Sequence, residues 1–240
     1  MRRFFFVCLL FSLTSCSLTA QENLFSCTVE RDSTEELYFY YPQFTSIGLV
    51  CGTMPYNDTS VVFCAEAAYT HAIRRKFSHD NIDGCHVCDG VKYTGADCKD
   101  NTGMFVFRNG GWQFVYPAND TVMDSAATDS CGMGFGQTML IYHKALLLPV
   151  RNLKQVAHFR ALCERQGQLC VIDSKDTVTF GHFLYLLCAC GVEHALYLDM
   201  GSGWNHSWYR EVDGTLREIY PYRHPYCTNW IVFRRKEGCQ

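Results

Sequence analysis

The stretch ALYLDMGSGWNHSWYR, residues 195–210, leaves an apolar strand on a carboxylate and enters a glycine-rich turn. Asp199 stands at the strand end; Gly201, Ser202 and Gly203 follow, with Trp204, Asn205 and Ser207 beyond. Successive N–H groups in such a turn form an anion-binding nest. An indole supplies a flat face, and a carboxylate steadies positive charge that develops during a reaction. An acid after a strand also caps turns through its own side chain or ligates a divalent cation. Chemistry alone leaves those roles of Asp199 open.

Three more groups are candidates to join it. Arg160 carries a planar, permanently charged fork that matches two oxygens of a phosphate or carboxylate. Glu66 interrupts the apolar run VVFCAEAAY, 61–69. It either points outward at a strand end or serves as a pocket carboxylate, because burying it alone is costly. Asp173 closes LCVID, as a turn former before Ser174 or as a second catalytic carboxylate. His158 and His206 titrate near neutrality and are further acid–base candidates.

The elements that must position these groups are mostly strands. FVFRNGGWQFVY, 105–116, is two alternating runs around Asn109-Gly110, a pair suited to the positive φ values of a tight hairpin. Asp83-Gly84, Asp89-Gly90 and Gly95 mark turns of a β-rich meander. GMGFGQTMLIYHKALLL, 132–148, predicts a strand and a turn at His143-Lys144. LYFYYPQFTSIGLVCG, 37–52, predicts one or two strands. Residues 71–80 are polar and helix-compatible. The segment KQVAHFRALCERQGQLCVID, 154–173, fits either a helix or a hairpin turning at Gln166-Gly167, and periodicity does not decide between them. As a hairpin it sets His158, Arg160 and Glu164 on one strand face. TFGHFLYLLCACG, 179–191, predicts a helix with Thr179 as N-cap and Gly191 as the stop. On the following strand Tyr197 and Asp199 share a face, and Leu196 and Leu198 take the other.

Three segments together, HFRALCERQGQLCVID, TFGHFLYLLCACG and ALYLDMGSG, resemble in order and spacing the phosphodiester glycosidase family over residues 155–205. Looser similarity reaches back to about residue 60. The resemblance favours the hairpin for 157–173 and implies an α+β fold, a strongly twisted mixed or antiparallel sheet with a few packed helices. It implies hydrolysis of a glycosyl phosphodiester. Arg160 would then bind phosphate and Asp199 the reacting sugar, with Glu66 and Asp173 as further catalytic carboxylates. Gly201, Ser202, Gly203, Trp204, Asn205 and Ser207 would enclose the substrate. Met200 and Ser202 stand where the family carries glycine. A phosphate monoester leaves as a stable anion, so protonation of the leaving group matters less than in ordinary glycoside hydrolysis. No cofactor is required on this reading; a divalent cation at Asp199 is the alternative. A noncatalytic carbohydrate- or envelope-binding lipoprotein on the same scaffold is the competing function.

Composition bounds the rest. The 240 residues are 48% hydrophobic, enough for a sizeable core. Met1-Arg2-Arg3 and FFFVCLLFSL form a charged n-region and an apolar h-region, too short to span a membrane. Residues 1–20 thus predict export, with a single domain over 21–240. Leu13-Thr14-Ser15-Cys16 fits a bacterial lipobox with the lipid on Cys16, the alternative being cleavage after Ala20. This places the protein in the bacterial periplasm or on the outer membrane, touching lipid only through that anchor. The formal charge of −3, or −5 without Arg2 and Arg3, offers no basic field for nucleic acid. Of 15 cysteines, 13 lie outside residues 1–20, an odd number that cannot all pair within one chain. Cys85-His86-Val87-Cys88, with Cys98 nearby, lacks the second pair that a structural zinc site wants. Cys188 and Cys190 in an apolar helix, and Cys64, Cys163 and Cys170 in apolar strands, read as small core residues. The expectation is mostly buried thiols with a few disulfides, a full disulfide framework being the alternative, and no metal site.

Overall fold

The computed structural model describes residues 26–31, 35–70, 81–95, 99–100, 102–147, 152–200, 207–220 and 229–235. Residues 1–20, the polar stretch 71–80, Cys98 and the segment 201–206 lie outside them, and with them the expectations of export, a helix and a glycine turn. In chain order the elements begin with β1 (Cys27–Arg31), β2 (Leu37–Pro42), β3 (Ser46–Cys51) and β4 (Val61–Glu66). A meander follows: β5 (His86–Cys88), β6 (Val91–Tyr93), β7 (Gly103–Arg108), β8 (Gly111–Val115), α1 (Asp120–Ala126), β9 (Met133–Gln137), β10 (Met139–Tyr142) and β11 (Ala145–Leu146). Then come β12 (Val156–Ala157), β13 (Arg160–Arg165), β14 (Gln168–Ser174), β15 (Val178–Thr179), α2 (Phe180–Ala189) and β16 (His194–Tyr197). The last are β17 (Ser207–Arg210), β18 (Leu216–Tyr220) and β19 (Asn229–Arg234).

Every strand pairing among the described residues is antiparallel, so the sheet-rich α+β expectation holds in its antiparallel form. Three sheets carry the fold, in the orders β1-β2-β14-β13-β16-β10-β11, β18-β17-β4-β19-β3 and β6-β5-β9-β7-β8. Four hairpins turn on consecutive residues with positive φ: Asp89-Gly90, Asn109-Gly110, His143-Lys144 and Gln166-Gly167. That backbone matches the right-handed twist of the flanking strands, which explains why short polar pairs suffice. The last of them settles residues 160–174 as a hairpin, with Arg160 opposite Asp173 and Arg165 opposite Gln168.

The core is divided by strand alternation. Leu162, Val171, Leu196 and Leu198 face a central cluster shared by the three sheets, with Phe63, Phe105, Phe135, Ile231 and Phe233. Ala161, Cys163, Ile172, Ala195 and Tyr197 face the other way, onto α2. That helix presents Phe180, Phe183, Leu184 and Leu187 to them. Each such buried side chain contributes roughly 1.5–3 kcal/mol relative to exposure. Thr179 caps α2, its Oγ1 accepting from the His182 N–H at 3.2 Å, and Gly191 ends it at φ +74°. Strand β4 is buried on both faces, because Val61 and Cys64 pack into a further cluster with Trp208 and Trp230. Its unbroken apolar run reflects that double burial. Cys64, Cys163 and Cys170 are core thiols as expected, but Cys188, expected in the core, is exposed on α2.

Close approach rather than backbone angle explains Gly132, where a Cβ would collide with the Ala126 carbonyl oxygen at the end of α1. Gly110 has open space around it and needs glycine only for its φ of +75°. Gly110→Ala should therefore lower stability by about 1–2 kcal/mol. Gly132→Ala should lower it by about 3 kcal/mol or more, since backbone must move. Urea denaturation of the two variants reads the difference; equal losses would refute this account of Gly132.

Candidate functional site

Arg160 and Asp173 are register partners on β13 and β14, so their side chains emerge on one face, the face toward the sheet containing β17. The guanidinium donates from Nε to Asp173 Oδ1 at 2.6 Å and from Nη2 to Asp173 Oδ2 at 2.6 Å. Nη2 also donates to Ser207 Oγ at 2.9 Å. Arg160 and Ser207 are fully buried and Asp173 is 1% exposed. One cation thus fastens the seven-stranded sheet to the first residue of β17. This corrects three expectations. Arg160 does not present its fork to an incoming phosphate, because Asp173 already occupies that bidentate edge. Asp173 is neither a turn former nor an open catalytic acid, but the counter-ion inside a strand. Ser207 does not face substrate; its hydroxyl accepts from Arg160 instead.

Asp199 is held through its backbone. The Leu198 N–H donates to the Arg160 carbonyl at 3.0 Å, extending the β13–β16 pairing by one residue. The Asp199 N–H then donates to the Ala67 carbonyl at 3.0 Å. The chain therefore passes from one sheet to the end of the other at Asp199, which is half-buried, and Met200 behind it is buried.

Glu66 immediately precedes Ala67. It ends β4 opposite Trp230 and is 3% exposed, so the outward-pointing reading does not hold. The two acids consequently sit on adjoining strand ends, one residue from a shared backbone hydrogen bond. Gly201, Ser202, Gly203, Trp204 and Asn205 lie outside the described residues, as does His206.

Several supporting residues escaped the sequence reading. Asn229, fully buried at the start of β19, accepts from the Ala68 N–H at 2.8 Å and donates Nδ2 to the Ala68 carbonyl at 3.0 Å. Gln137 Nε2 donates to the Ala67 carbonyl at 3.4 Å. The Asn229 amide thereby replaces a strand partner for Ala68, while the Ala67 carbonyl accepts from both the Asp199 N–H and Gln137. The Tyr69 ring packs on Tyr197 with centroids 5.8 Å apart.

An open cleft of about 460 Å³ lies between the edge β1–β2 hairpin and β17–β18. Tyr38, Tyr40, Tyr209, Lys175 and Glu218 line it. Tyr38 is the register partner of Asp173, and Lys175 follows two residues later, so this cleft adjoins the buried ion pair. Burial pushes the Tyr209 phenol above its ordinary pKa. Burial likewise pushes the Cys64 thiol well up, with the Arg234 and Arg160 charges opposing it. A larger cleft, about 680 Å³, lies by the Gly110 and Gly167 turns, at the far end of the β13–β14 hairpin from Arg160.

The ion pair dictates a stability test. Arg160→Met or Asp173→Leu alone leaves a buried uncompensated charge and should cost about 3–5 kcal/mol. The double variant removes both charges and should recover most of that loss. Equilibrium denaturation of the three variants checks it; additive losses would show that the two groups do not act as a pair.

No family model matches the chain, and no curated protein sequence matches it. Among solved structures, the catalytic domain of zebrafish N-acetylglucosamine-1-phosphodiester alpha-N-acetylglucosaminidase, auto-inhibited by its pro-peptide, superposes with a TM-score of 0.58 at 12% identity. The match covers 88% of this chain and 82% of that one. At that identity the likeness is one of fold, and the chain shares the fold of a glycosidase catalytic domain.

Proposed function

We propose that the protein is a carbohydrate hydrolase that cleaves a glycosyl phosphodiester, acting in a bacterial envelope after export. The fold shared with a glycosidase catalytic domain supports the class. The observation that carries the reading to this chain is the hydrogen bond from the Asp199 N–H to the Ala67 carbonyl, which brings Asp199 beside the strand end bearing Glu66. Two carboxylates on adjoining strand ends are the equipment of glycosyl transfer to water. Asp199, the more accessible, stabilises the oxocarbenium-like sugar; Glu66 directs the water. The leaving phosphate departs as a stable anion and calls for little protonation. With Arg160 engaged by Asp173, phosphate recognition passes to the backbone amides of Gly201, Ser202 and Gly203. Arg160 is then a positioning residue, anchoring Ser207 just after that segment.

One observation favours a second reading. The cation expected to receive phosphate is closed inside the protein on Asp173 and Ser207, which suits a scaffold that binds carbohydrate without cleaving it.

Release of free sugar from a panel of hexose-1-phosphate alkyl esters distinguishes the two. Turnover by the wild-type chain is expected, with Asp199→Ala and Glu66→Gln each lowering kcat by roughly 10²–10⁴-fold at unchanged melting temperature. Sugar binding without turnover of any ester would replace the hydrolase with the binding module. Turnover indifferent to both substitutions would remove these acids from the mechanism.

A further inference from the structure

Cys51 ends β3 and Cys88 ends β5, on strands of two different sheets, yet their sulfurs stand 2.9 Å apart. That separation is shorter than the contact distance of about 3.5–4.0 Å between smaller carbon atoms. It is also shorter than the roughly 3.8 Å between two thiolates on a tetrahedral zinc with bonds near 2.3 Å. The two sulfurs are therefore placed for bonding to each other.

Three surrounding features bear on how the bond would close. His86 lies two residues before Cys88 on the same strand face, and the ligating atoms of Cys51, His86 and Cys88 are all within 4.8 Å of one another. The imidazole Nδ1 donates to the Gly84 carbonyl at 3.0 Å, so in the neutral ring the lone pair resides on Nε2. Cys51 is half-exposed whereas Cys88 is 7% exposed, so an external reagent meets Cys51 first. Cys131 is disulfide-bonded, which shows that the chain carries cystine elsewhere.

We propose that Cys51 and Cys88 are a disulfide-forming site, oxidised by exchange with an external disulfide such as oxidised glutathione. The Cys51 thiolate attacks the donor disulfide, giving a mixed disulfide and releasing one donor thiol. The Cys88 sulfur then attacks the Cys51 sulfur, its proton passes to the His86 imidazole, and the second donor thiolate leaves. Two protein thiols are oxidised and one donor disulfide is reduced to two thiols, so electrons and protons balance. Burial and the hydrogen shared with Cys51 raise the Cys88 thiol pKa, which makes the unassisted thiolate scarce and gives the imidazole its role.

The cystine joins residues 37 apart in sequence, and the loop between them contains β4 and Glu66. It links the sheet carrying Glu66 to the meander sheet.

The wild-type chain is oxidised with glutathione, its free thiols are alkylated under denaturing conditions, and it is digested without reduction for mass spectrometry. Arg74, Arg75 and Lys76 separate the two cysteines into different tryptic peptides. Cys64 shares the first of these peptides and Cys85 the second, so fragmentation locates the link. The expected result is a Cys51–Cys88 bond, with Cys64 and Cys85 carrying the alkyl group and the pair lighter by two hydrogens than the two peptides so labelled. Cys51→Ser and Cys88→Ser should each lower the melting temperature by about 10 °C, from the loop length and the size of the domain. The double variant should lose no more than either single one. Wild-type protein in which both thiols are alkylated, or joined to other cysteines, overturns the proposal. So does one zinc per chain whose removal by a chelator is needed before either thiol reacts.

Discussion

The fold depends on a charge that has been taken out of water. Arg160, Asp173 and Ser207 form a buried clasp between two sheets that also share an apolar cluster. Apolar faces slide and repack at little cost, whereas a desolvated guanidinium tolerates only the geometry that satisfies it. The pair adds little net stability over a hydrophobic substitute; its effect is to exclude other alignments of β17 against the β13–β14 hairpin. Ser207, which follows the 201–206 segment, is held by the same contact.

That clasp also divides the chemistry of the site. With its Nε–Nη2 edge on Asp173, the remaining Nη2 hydrogen on Ser207 and the whole side chain buried, the guanidinium is closed off from an incoming phosphate, so the clasp serves architecture. The groups left for chemistry stand where the sheets meet. Glu66 ends β4, Asp199 follows β16, and the backbone between them is joined by hydrogen bonds from Asp199, Gln137 and Asn229. Junctions between packed layers are where clefts form and where irregular backbone can be satisfied by side chains. The Cys51–Cys88 contact lies at another junction of sheets, between β3 and β5.

Much of this was legible because it is local. Asn109-Gly110 and His143-Lys144 reveal turns because a turn needs only its own two residues to adopt positive φ, while Gln166-Gly167 left helix and hairpin both open. Thr179 and Gly191 delimit α2 because caps act within one helical turn. Leu196 and Leu198 against Tyr197 follow from strand alternation. The errors were equally physical. Glu66 was open to an outward reading because one strand gives no sign that both of its faces are covered; Trp208 and Trp230 cover the second. No sequence signal joins Cys88 to Cys51, which lies 37 residues away and meets it only when two sheets pack. Asn229 and Gln137 look like ordinary polar residues beside apolar strands, and only the far-off segment 67–68 reveals their use.

Sequence alone therefore determined the Asn109-Gly110 hairpin, a share of the strands, the capped helix α2 and the strand-end positions of Glu66 and Asp199, because these obey short-range sterics and periodicity. Whether Arg160 faces solvent or a counter-ion, whether Asp173 is free to react, and which cysteines touch were decided by tertiary structure. The reason is that burial, and with it the cost of an unpaired charge, belongs to no single segment; it arises only when one sheet closes over another.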